Sequence, residues 1–233
     1  MKPKELLQSI TGNLSKSAPL REFTYNKQFY YFSFEFQGGW HRLYLEPKFE
    51  SLLKEFTISP YFDARFDIVH RWFEPFIYRN IIVDRQKGFF GKGNNMSGFK
   101  FVYEVESDNF SEMNLAFIRN NLLEETTSMI GKCYGLTPLF RNCVFPTLAF
   151  GGYTVSDGNM ENLFYSSALC RIVAPELYGR WRKTADNIMR LYKSRRRTNP
   201  SFEYFCNRYK EIMDYLEHYD FSIEFAELPP ERR

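Results

Sequence analysis

The sequence predicts an α+β fold by segregation, an N-terminal helix and antiparallel β region followed by a mostly α-helical second half. Three observations carry this. Residues 28 to 46 alternate apolar and polar around a glycine pair, the pattern of a half-buried hairpin. From residue 109 onward, apolar residues recur at helical spacing through long segments. Between the two, at 85 to 98, lies RQKGFFGKGNNMSG, with four of the 13 glycines. The expected organisation is an N-terminal region 1–108 and a helical region 109–233, or one continuous domain of that length.

Residues 3 to 16 predict an amphipathic helix through Leu6, Leu7, Ile10 and Leu14. In QFYYFSFEFQGGWHRLYLE, Gly38-Gly39 predicts a two-residue turn. That register sets Phe32 opposite Leu45 and Phe34 opposite Leu43. On the other side Glu35 faces Arg42 and Ser33 faces Tyr44. Residues 61 to 79 read as a helix with the stripe Phe62, Phe66, Val69 and Phe73, ended or kinked at Pro75. Strands are expected at 81–84 and within 98–106. Residues 111–132, 159–173, 177–197 and 200–219 read as helices, with Pro200 at the first position of the last. Residues 133–158, with Pro138, Pro146 and Gly151-Gly152, read as irregular, and the tail from Leu228 as frayed.

Composition narrows the function classes. A net charge of +3 does not by itself imply nucleic acid. Phe at 25 and Tyr at 16 mean that aromatic rings fill much of the core and reach the surface. The cysteines, Cys133, Cys143, Cys170 and Cys206, form no CxxC pair, which fits reduced thiols in a soluble cytoplasmic protein. No window approaches the roughly 18 apolar residues of a membrane span, so no membrane partner is expected.

The glycine stretch fails as a phosphate loop. A Walker loop needs GxxxxGK and Ser or Thr before a helix, whereas Lys92 precedes Gly93 and the next element reads as a strand. GxGxxG is absent too. The stretch reads as a β-connection, with Phe89, Phe90 and Lys92 as possible contacts for an anionic or stacked partner.

No cofactor or metal is predicted. His41, His70 and His218 stand in no metal-binding spacing, and no GxSxG elbow is present. Glu35 with Glu46-Pro47-Lys48 resembles the acid-plus-ExK order of metal-dependent nucleases. The hairpin register parts the two carboxylates by about 13 Å, so this reading is weak. The strongest electrostatic feature is residues 180–197, with eight Lys or Arg and one acid, Asp186. Trp181, Ala185, Ile188 and Tyr192 form the expected buried stripe. Lys183, Arg190, Lys193, Arg195, Arg196 and Arg197 are candidate binding residues. Against them, Glu203 to Glu231 holds eight acids, which a helical hairpin would fold back onto the basic segment.

No motif assigns an activity or a family. The leading expectation is a binding or interaction protein, through a protein partner or self-association. Nucleic-acid binding by helix 180–197 comes next, and an enzyme with a spatially assembled site after that.

Overall fold

The computed structural model describes residues 3–18, 20–50, 55–77, 101–104, 112–151, 160–194 and 200–233. The chain is α+β: a helix and antiparallel strands in the first half, then a mostly helical second half. It divides into two compact units. One draws its described residues from the spans 1–36, 40–64 and 90–131, the other from 37–39, 65–89 and 132–233.

The first unit opens with α1 (Pro3–Leu14), whose Leu7, Ile10 and Leu14 are buried as the periodicity requires. The strands are β1 (Thr24–Asn26), β2 (Tyr31–Phe36), β3 (Gly39–Tyr44), β4 (Pro47–Glu50), β5 (Glu55–Ile58), β6 (Tyr61–Phe66) and β7 (Phe101–Glu104). One sheet has the order β1-β2-β3-β6, the other β4-β5-β7. In the first sheet Phe32, Leu43, Phe62 and Ala64 are buried on one side, as the two-residue pleat dictates, and Trp40, Arg42, Tyr61 and Asp63 of the central strands are buried as well.

The hairpin turn differs from expectation. β2 ends at Phe36 and β3 begins at Gly39, so the chain reverses over Gln37-Gly38, and only Gly38 takes a positive φ (84°). Arg42 Nε donates to Ser33 Oγ (3.4 Å), and the Tyr31 and Tyr44 rings lie 5.1 Å apart. Each partner is displaced by two residues, an even number, so the faces stay as predicted.

Over residues 61–77, the described part of the predicted helix 61–79, the structure corrects the prediction. Tyr61–Phe66 is strand β6, followed by the single turn α2 (Asp67–His70) and a 3-10 turn, Arg71–Phe76, that contains Pro75. Phe62 and Phe66 are four apart, an even spacing that a strand and a helix both put on one side. Tyr61 through Ala64 are all buried, so the strand is covered on both sides and its burial shows no alternation.

The remaining helices are α3 (Glu112–Cys133), α4 (Leu136–Cys143), α5 (Phe145–Phe150), α6 (Glu161–Val173), α7 (Pro175–Ser194), α8 (Pro200–His218) and α9 (Ser222–Glu227). α4 and α5 lie where irregular chain was expected. Pro138 and Pro146 sit in the first turns of these helices, where the missing N–H has no partner to lose. The second unit's core is aromatic: Phe73 and Phe164 stack at 5.1 Å, and Phe205 lies 5.8 Å and 5.7 Å from them. The tail is not frayed. Leu228 is 1% exposed and Arg232 6%.

Candidate interaction surface

The basic helix α7 carries most of the predicted binding residues, and its inner side follows the sequence pattern. Trp181, Ala185, Ile188 and Tyr192 are all buried. The Trp181 indole N–H reaches Ser167 Oγ (2.8 Å) on α6. On the α8 side, Cys206 Sγ lies 3.6 Å from Met189 Sδ, and the Tyr192 and Phe202 rings are 5.7 Å apart. Residue numbers rise along one helix as they fall along the other, so α7 and α8 pack antiparallel.

That packing brings acids onto the basic helix, but chiefly onto one residue. Arg182 Nη1 donates to Glu217 Oε1 (2.7 Å), Nε to Asp186 Oδ1 (3.4 Å), and Nη2 approaches Asp214 Oδ1 (3.8 Å). The Tyr209 hydroxyl donates to Asp186 Oδ1 (2.9 Å), and its ring lies 5.7 Å from the Arg182 guanidinium. Burial, then the bond to Asp186, pushes the Tyr209 hydroxyl above its ordinary range. Arg171 Nη1 donates to Leu216 O (2.5 Å) and Tyr219 O (2.7 Å), clasping the chain where α8 ends; Leu216 O also accepts the Tyr219 amide (3.2 Å).

Lys183, Arg190 and Lys193 are exposed on the outer side of α7, and Arg190 Nη2 donates to Asn187 Oδ1 (3.1 Å). With Arg180 they form a cationic side about 20 Å long at about 1.5 Å per residue. Arg195, Arg196 and Arg197 lie outside the described residues, as do Phe89, Phe90, Lys92 and the rest of the glycine stretch.

Beside the start of this basic side stands α5, which sequence reasoning missed. Arg180 Nη2 donates to Leu148 O (2.6 Å) and ties the two helices together. Leu148 is buried, whereas Phe145, Pro146, Ala149 and Phe150 all face water, with Phe145 46% and Phe150 88% exposed. These positions span about 140° of one helix side, at about 100° per residue. A local signal existed: FPTLAF opens with proline near its start, is closed by a glycine, and is apolar nearly all round. In the first unit, Phe29 and Tyr30 are exposed in the β1–β2 turn, where Tyr30 holds φ 55° and Asn26 Oδ1 accepts the Gln28 amide (3.0 Å).

Burial alters the titration of one histidine and two cysteines. His70 Nδ1 pairs with Phe66 O (2.7 Å), its Nε2 is buried without a hydrogen-bond partner, and burial pulls its pKa to about 3. Burial pushes the Cys143 and Cys170 thiols up to about 12, and the four cysteines form no disulfide. Glu35 pairs with Arg42 (3.6 Å). Among the described residues no three His, Cys, Asp or Glu side chains are placed to hold one metal ion, and no helix is long and apolar enough to cross a membrane.

No protein-family model matches the chain, and no curated protein or solved structure matches it.

Proposed function

We propose that this chain is a protein-binding module whose contact surface is the apolar side of α5 beside the cationic side of α7. The observation that carries the reading is the set Phe145, Pro146, Ala149 and Phe150, held facing water on a helix anchored by Leu148 and Arg180. Covering apolar surface is worth about 25 cal/mol per Å², so two rigidly presented phenylalanines are a favourable place for a partner to dock. Arg180, Lys183, Arg190 and Lys193 favour a partner with acidic residues around an apolar contact. Three buried thiols and one half-buried, none of them bridged, support a reducing cytoplasmic setting.

The test is quantitative capture from lysate with the wild-type chain and with Phe145→Ser/Phe150→Ser, both checked for fold by circular dichroism. Light scattering of the chain alone tests self-association. Proteins retained by the wild type and lost from the variant, or self-association lost in the variant, are expected. Identical profiles and a strictly monomeric wild type would sink the reading.

A second reading, binding of nucleic acid or another polyanion, is favoured by the placement of acids. Asp214 and Glu217 of α8 gather on Arg182 and Glu211 pairs with Arg208 on its own helix, while Lys183, Arg190 and Lys193 face outward. It expects binding at about 50 mM salt that weakens steeply as salt rises. Replacing those three residues with Ala should weaken it further, and no binding at low salt eliminates it.

A further inference from the structure

The segment Leu228–Arg233 is seated in its own chain as a peptide sits in a receptor. Leu228 (φ −73°, ψ 131°) and Pro229 (φ −54°, ψ 140°) are extended as in polyproline II. Leu228 Cδ1 stands 3.1 Å from the point where a Cβ on Gly38 would lie. Four residues on, the Arg232 guanidinium lies 3.8 Å over the Tyr134 ring and donates from Nη1 to Tyr134 O (2.7 Å). Arg232 O comes within 2.8 Å of where a Cβ on Gly135 would lie, an approach only glycine permits. Two anchors, a leucine and an arginine, thus bracket a proline pair in a seat made by Gly38, Tyr134 and Gly135.

The connector to this segment is held differently. α9 has no buried residue; its ties include the half-exposed pair Arg71–Glu227 (3.3 Å), the Tyr219 hydroxyl on Glu224 (2.6 Å) and, from the arm itself, Arg233 Nη2 on Ala226 O (3.3 Å). Buried anchors at the end of an exposed connector are the geometry in which identical chains trade segments.

From this we infer that the Gly38–Tyr134–Gly135 seat accepts Leu228–Arg233 of a second copy of this chain, giving an arm-exchanged dimer. The contacts in the exchanged form are the same as those within one chain. The balance is therefore set by effective concentration, on the order of mM for a short connector. Exchange then becomes visible only in concentrated protein or when the chain's own arm is disabled.

The experiment mixes two full-length variants. Gly135→Ala closes the seat against its own arm; Leu228→Asp/Arg232→Ala leaves the seat open and removes the anchors. Light scattering on a sizing column is expected to show a 1:1 complex in the mixture, at about 0.5 mM each, and in neither variant alone. A monomeric mixture of two folded variants overturns the inference. A complex that forms only in the mixture is also independent of the α5 surface, which both variants share. If either variant does not fold, hydrogen exchange of the wild type decides. The Arg232 and Arg233 amides are expected to exchange at least about tenfold faster than those of α6–α8 through release of the arm. Equal rates would mean that the arm leaves only on global unfolding, and would overturn the inference.

Discussion

The indole N–H of Trp181 donates to Ser167 Oγ at 2.8 Å, and the same hydroxyl donates to Leu163 O at 2.7 Å. Both side chains are fully buried. Ser167→Ala would remove the hydroxyl that accepts the indole N–H away from water. The expected cost is about 1–3 kcal/mol, read from the urea midpoint. In a double-mutant cycle with Trp181→Phe the two costs should add to more than the double variant shows. Strict additivity would mean that the pair is not coupled.

Arg171 holds Leu216 O and Tyr219 O together, and its guanidinium lies 5.3 Å over the Phe221 ring. Arg171→Met keeps much of the stem and removes the donors. A loss of about 1–3 kcal/mol is expected, with faster amide exchange through 219–225. Unchanged exchange there would show that the guanidinium does not hold the end of α8.

His70 predicts a pH dependence. Its folded pKa is about 3 against an ordinary 6.5, so between those values the unfolded chain binds the extra proton. The stability from burying neutral His70 is complete above about pH 6.5 and is lost progressively as pH falls toward about 3. Arg65 opposes the charged ring, while the Phe66 carbonyl and Asp67 favour it. His70→Phe keeps a ring against Tyr165, whose centroid is 4.4 Å away. This variant should flatten the slope of stability against pH in that window, measured by thermal melts from pH 4 to 7. A parallel slope would assign the acid sensitivity elsewhere.

Arg182 sits among three carboxylates. Arg182→Met leaves Asp186, Asp214 and Glu217 facing one another. Each of these half-exposed pairs contributes about 0–1 kcal/mol, so a loss of about 1 kcal/mol is expected at low salt. It should shrink as salt screens the repulsion. A loss that grows with salt would contradict this assignment.

How far the sequence could be read depends on whether one period explained a segment. In α7 only a helix puts Trp181, Ala185, Ile188 and Tyr192 on one side, and they are buried together. At Phe62 and Phe66 a strand and a helix predict the same side, and the longer helical stripe misled. In the hairpin the faces survived while the turn moved, because burial constrains the side and not the position of the reversal. Proline caused the opposite error: Pro138 and Pro146 read as breakers yet open α4 and α5. The missed α5 surface followed from that error. The tail was read as frayed because nothing local announces that Arg232 would find Tyr134, 98 residues away.

The buried sulfur atoms have a practical consequence. Burial pushes the Cys170 thiol up to about 12, so it stays protonated at neutral pH, whereas thiolate is the species that alkylating reagents attack. Labelling at this position therefore times the opening of α6. The wild-type chain carries its own clock for local breathing, with no engineered probe.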